Sequence, residues 1–219
     1  GPMMTISADD VTVKDISCDA YGTVGAFAYK AYVYSNRLRT LVDGCRFFDG
    51  MQGVEFDNTG SAAQHCKISN CYAENMVGSG FLLKGALDSH VIGSTTKSCG
   101  DGAISLYNAS RCTATGNTVY TSEQGITIDA GSKSNTISGN RIFGDKAGVT
   151  AVTGYYGIDL KNNSHFNTIS GNTVEGCIIG IAARYGDAGN QNDCWNNIIT
   201  GNTITNILGK TIGTAYGMF

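Results

Sequence analysis

The chain says nearly the same thing three times: NTISGNRIFG from Asn135, NTISGNTVEG from Asn167 and NIITGNTITN from Asn197. The copies lie 32 and 30 residues apart. A unit of that size cannot bury an apolar face on its own, so it must stack on its neighbours.

Two series of positions carry the period along the chain. A glycine opens each apolar run at Gly25, Gly53, Gly80, Gly102, Gly125, Gly157 and Gly180, with separations of 28, 27, 22, 23, 32 and 23 residues. The two Asn positions of the phrase keep step. The first aligns with Thr40, Cys66, His90, Cys112, Asn135, Asn167 and Asn197, and the second with Cys45, Cys71, Thr95, Asn117, Asn140, Asn172 and Asn202. After the glycines, the first and third positions are mostly apolar, as in Val54/Phe56, Phe81/Leu83, Ile126/Ile128 and Ile158/Leu160. A period of two predicts strands with one face in a core. The connections are rich in Gly, Asn, Ser and Thr, which leaves no helix for crossovers. The expected fold is an all-β solenoid of parallel strands, with seven or eight coils of 22–32 residues. At roughly 4.8 Å per coil it makes a rod roughly 35 Å tall.

The phrase NTISGNRI, with Asn at a corner between apolar residues, resembles the repeat of right-handed parallel β-helix proteins. That group includes pectate-lyase-like enzymes, alginate epimerases and bacteriophage tailspikes, and the resemblance runs from about Val11 to Ile207. It implies a fold more than a chemistry, because unrelated activities share this scaffold. Residues 1–4, GPMM, read as the remnant of a cleaved tag, 5–207 as the β-helix domain, and 208–219 as a cap or the start of a following element. No signal-peptide pattern opens the chain.

The net charge of −3 and pI near 5.5 argue against nucleic acid, which would need clustered Lys and Arg. No apolar run is long enough for a membrane helix, so no membrane insertion is expected. Eight cysteines could form disulfides, but Cys45, Cys66, Cys71 and Cys112 fall in the repeat slots that Asn holds elsewhere. They read as stacked, reduced thiols, which suits folding in a reducing cytosol. No metal-ligand spacing is evident. His90 falls in a corner slot, and His65 and His165 in connections.

If positions one and three face inward, two and four face outward. Position four then carries Tyr29, Asp57, Lys84, Leu106, Asp129, Lys161 and Arg184, and position two carries Phe27, Glu55, Leu82, Ile104, Thr127, Asp159 and Ala182. The candidate catalytic group is Asp129, Asp159, Lys161 and Arg184. The two carboxylates should stand roughly 8 Å apart, a separation that suits an inverting glycosidase. Alternatively, Lys161 and Arg184 neutralise a uronate carboxylate for lyase chemistry, in which the resemblance implies that acidic residues can hold Ca²⁺. A third reading is a solvated ladder Asp129–Lys161–Arg184 with no chemistry. Glu55 and Asp57, with Lys84, form a second candidate. Tyr155, Tyr156, Tyr185 and Trp195, with Asp187, sit in the longer connections 145–156 and 184–197 and offer flat faces to sugar rings. Leu82, Ile104 and Leu106, with Phe27 and Tyr29, predict an outward apolar patch that a homotrimer or a folded-back loop would cover.

These features, with the resemblance, point to a tailspike-like module on a virion tail or outside the cell. It would recognise a bacterial surface polysaccharide, with cleavage by a glycosidase or lyase left open. A secreted polyuronate lyase or epimerase and a shaft or adhesin without an active site are the alternatives. No resident cofactor is expected, apart from Ca²⁺ in the lyase case.

Overall fold

The computed structural model describes residues 1–19, 31–58, 63–120, 122–144, 156–184 and 194–207. Among them there is no helix. Three parallel sheets of eight strands each stack along one axis, so each coil contributes one short strand to every sheet. The first sheet stacks Met4–Ile6, Val33–Ser35, Val54–Asp57, Phe81–Lys84, Gly102–Tyr107, Gln124–Asp129, Tyr156–Leu160 and Ile179–Ala183. The second runs from Thr12–Lys14 to Ile198–Thr200 and the third from Ser17–Asp19 to Thr203–Thr205. This is the all-β parallel solenoid that the repeat predicts. No helix among the described residues is long and apolar enough to cross a membrane.

The repeated phrase is one strand of the second sheet, a corner, and one strand of the third. In its first copy, Thr136–Ser138 and Arg141–Phe143 are the strands, and Ile137 and Ile142 point into the core. Gly139 turns the corner at φ +63°, as do Gly116, Gly171 and Gly201 at nearly the same angle. That left-handed conformation costs an ordinary side chain energy, which explains the invariant SGN or TGN spelling.

The Asn beside each corner builds a ladder inside the stack. The Asn140 Nδ2 amide donates to the Ala114 carbonyl at 2.9 Å and to Asn172 Oδ1 at 2.8 Å. Its own Oδ1 accepts from the backbone N–H and the amide of Asn117 at 2.9 and 3.0 Å. A second ladder runs through Asn135, Asn167 and Asn197. Serine and cysteine continue both downward. Cys112 receives its N–H partner from Asn135 at 2.8 Å, and its thiol donates to the Ala86 carbonyl at 3.3 Å, much as the asparagine amides do. All eight cysteines are free thiols, seven of them buried.

The register corrects the sequence reading in three places. Phe81 pairs with Ile104 and Ile104 with Ile126, so Ala103, not Gly102, shares the slot of Gly80 and Gly125. Ile104 and Leu106 therefore face inward and are fully buried, and the outward apolar patch expected from them does not exist. In the same stretch, Ser89 and Ser94 take the corner slots assigned to His90 and Thr95. Cys66 and Cys71 donate their N–H groups to these serine hydroxyls at 3.1 and 3.2 Å. Near the start, Val33 pairs with Val54, so Tyr32 rather than Gly25 occupies the slot beneath Gly53. Gly25, Phe27 and Tyr29 lie outside the described residues. The glycine slot is tight because a Cβ at Gly53 would stand 2.6 Å from the Gly80 carbonyl oxygen.

Candidate active site

The outer face of the first sheet gathers the charges. Strand pairing and the backbone hydrogen bonds beyond the strand ends set Asp57, Lys84, Tyr107, Asp129, Lys161 and Arg184 on successive rungs of one column. Rungs in a sheet are about 4.8 Å apart. Two residues earlier on the same strands, Glu55, Leu82, Ser105, Thr127, Asp159 and Ala182 form the neighbouring column.

Three ion pairs divide the charged column. Lys84 Nζ meets Asp57 Oδ2 at 3.0 Å, and that carboxylate holds the ammonium above the usual lysine range against the opposing effect of burial. Lys161 Nζ stands 3.7 Å from Asp129 Oδ2, while the Asn162 amide donates to Asp129 Oδ1 at 2.6 Å. Arg184 grips Asp159 with both arms of its guanidinium, at 2.9 and 2.8 Å, and lies 4.8 Å over the Tyr156 ring. Asp159 is 0% exposed, and burial pushes its carboxyl above the usual range even with Arg184 and Lys161 pulling it down.

Between the first two pairs lies a groove of about 310 Å³ lined by Gln52, Glu55, Ser79, Leu82, Lys84, Asp101, Ser105, Tyr107, Thr127 and Asp129. Its floor is fixed by short-range bonds: Ser79 Oγ to Ser105 Oγ at 2.9 Å, and the Thr127 hydroxyl donating to Gln124 Oε1 at 2.9 Å. Tyr107 is 46% exposed, so its phenol stands in the groove rather than in the core.

The structure thus regroups the residues singled out in the sequence. Glu55 lines the groove with Asp129, and Asp57 braces it through Lys84. Asp159 and Arg184 are locked to each other farther along the stack, so Asp159 has no exposed carboxylate to activate water. On this face the ion pairs are Asp129 with Lys161 and Asp159 with Arg184, the reading of a ladder Asp129–Lys161–Arg184 having left Asp159 out. Tyr156 opens a strand and supports Arg184 from below. Trp195 sits at a corner, 44% exposed, with its indole stacked on His165. Tyr155, Tyr185 and Asp187 lie outside the described residues. Among the described residues no group of three or more His, Cys, Asp and Glu side chains is placed to hold a metal ion. Tyr107 escaped the sequence reading because the one-residue slip at Gly102 put Leu106 in its place.

No curated protein matches the chain in sequence. Among solved structures, an alginate lyase from Paenibacillus sp. strain FPU-7 superposes with a TM-score of 0.60 at 18% identity, over 90% of this chain and 78% of that one. At that identity the likeness concerns the fold. The model of the right-handed β-helix region matches residues 5–164, well over half of the chain, and the protein belongs to that family.

Proposed function

We propose that the groove binds an acidic polysaccharide and cleaves it by β-elimination. The observation that carries this reading is the order Lys84–Tyr107–Asp129 on three successive rungs of an open groove. Elimination at a uronate needs three things: neutralisation of the carboxylate, removal of the proton beside it, and protonation of the departing glycosidic oxygen. Lys84, kept cationic by Asp57, neutralises the sugar carboxylate. The Asp129 carboxylate, oriented by Asn162, takes the proton from the carbon that bears it. The electron pair left behind becomes the new C=C bond, the C–O bond to the leaving sugar breaks, and the Tyr107 phenol supplies that oxygen with its proton. No water is consumed. Lys161 and Arg184, each offset by a carboxylate, continue the column beyond Asp129. A role for Ca²⁺ is not used in this scheme.

The fold of an alginate lyase on a similar scaffold supports a polyuronate as the substrate class. The same proposal takes the natural target to be a bacterial surface polysaccharide and the assembly to be a tailspike-like homotrimer on a virion tail or outside the cell. The eight reduced thiols are compatible with prior folding in a reducing cytosol.

Mass spectrometry of products from alginate, polygalacturonate and bacterial capsular polysaccharides tests the chemistry. Elimination leaves an unsaturated end one water lighter than a hydrolysis product. Products carrying an added water would replace the lyase reading with a hydrolase, and no product from any acidic polymer would leave a binding or shaft role. Light scattering tests the trimer separately.

A further inference from the structure

A second exposed feature lies one corner away from the groove. At the turn between the first and second sheets, Lys133, His165 and Trp195 stack on consecutive coils through a ladder of isolated bridges. The His165 and Trp195 rings are parallel within 5° at 4.6 Å, and Phe166 meets the indole edge-on at 4.8 Å. Trp195 is 44% and Phe166 50% exposed. The Trp195 Nε1–H donates to Asn163 Oδ1 at 3.3 Å, which pins the ring. So much exposed aromatic surface held rigid is costly in water unless something covers it.

The contacts run on to the groove. Asn163, which holds Trp195, follows Asn162, which holds Asp129 in the groove wall. We propose that the His165–Trp195 ledge is a distal subsite for one sugar ring of the acidic chain that occupies the groove, an inference that rests on the function proposed above. The apolar face of a pyranose ring packs on the indole, as flat rings do on aromatic surfaces. Lys133, exposed one coil below His165 and on the same coil as Asp129, meets the carboxylate of a neighbouring sugar on the way to the groove. A chain held at two points around one corner is fixed in register, which a short groove alone does not ensure.

Trp195 is the chain's single tryptophan, so intrinsic fluorescence reads the ledge directly. The probe is an alginate tetrasaccharide titrated into wild type, Trp195→Ala, Lys133→Met and Lys84→Met, with calorimetry on the same samples and neutral cellotetraose as a comparison. A saturable change in tryptophan emission is expected in wild type, with affinity about threefold to tenfold weaker in Trp195→Ala. Lys133→Met should lose the preference for the acidic probe over the neutral one. An emission response that persists in Lys84→Met keeps the ledge, whether or not product formation is lost in that variant. Unchanged affinity in Trp195→Ala together with silent emission in wild type overturns the ledge and leaves the groove standing. Absence of binding to either probe overturns it as well.

Discussion

Lys84 and Tyr107 are paired neighbours on adjacent rungs, with the carboxylate of Asp57 behind the lysine and that of Asp129 beyond the tyrosine. A phenol therefore stands between two ion pairs, in the open part of the groove. Neither pair uses the Tyr107 hydroxyl, so it is available to a substrate. This ordering follows from the solenoid alone: side chains far apart in the chain become neighbours at one rung's spacing.

The asparagine ladder is a large part of what joins the coils. Asn140→Ala removes the acceptor of the Asn117 N–H and amide and the donor to the Ala114 carbonyl, all in the buried stack. The expected loss is about 2–3 kcal/mol, from polar groups left buried without partners. Urea denaturation of the variant checks it, and a loss below about 0.5 kcal/mol would mean that the ladder is replaceable by relaxation or water.

Thr96 offers the opposite case. It is fully buried between Ala73 and Val119 in the third sheet, and its hydroxyl has no hydrogen-bond partner among the described residues. Thr96→Val keeps the shape and removes the stranded hydroxyl, so stability should rise by about 1 kcal/mol. A thermal melt reads the change. A fall would show that a buried water or a shifted rotamer satisfies the group.

Burial also governs the thiols. It pushes Cys71 up to about 12 and Cys99, Cys112 and Cys177 to about 11. Near neutral pH these groups carry almost no thiolate, the reactive form. Native alkylation followed by peptide mapping should label the half-buried Cys194 first and spare the ladder cysteines until the chain is unfolded. Rapid labelling of Cys112 in the native state would contradict the packing.

Asp159 gives stability a specific pH dependence. Its folded carboxyl ionises above the ordinary value of 3.8 because burial outweighs Arg184. The folded state thus binds a proton where the unfolded chain has released it, so this contribution is complete below about 3.8 and fades as pH rises through the folded value. Relative to Asp159→Asn, wild type should gain stability as the pH is lowered from neutral toward about 4. Urea curves at a series of pH values measure it, and a difference that shrinks on acidification would contradict the burial argument.

The fold was legible because its rules are local. A glycine at positive φ, an asparagine that bonds to its own copy above and below, and one inward isoleucine on each side spell a whole corner of the coil. The site was legible only in part, because its geometry depends on register to the residue. At Gly102–Ala103 the glycine cue pointed one position early, since alanine fits the tight slot there, and that slip exchanged Tyr107 for Leu106. Glu55, Asp57 and Lys84 were found by spacing and Asp129 by charge. The partition of Asp159 with Arg184, away from Asp129 and Lys161, could not be read, because nothing in the spelling records how deeply a carboxylate is buried. Nothing in the spelling marks Asn162 as the residue that orients Asp129.

The most direct test of the groove is the rate of unsaturated product formation from alginate, followed by ultraviolet absorbance, for wild type and Tyr107→Phe side by side. The phenylalanine keeps the ring and removes only the proton donor. Wild type should form product steadily and the variant about 100-fold or more slowly, with KM little changed. Equal rates for the two proteins would contradict this, because Tyr107 would then have no proton to give in the reaction.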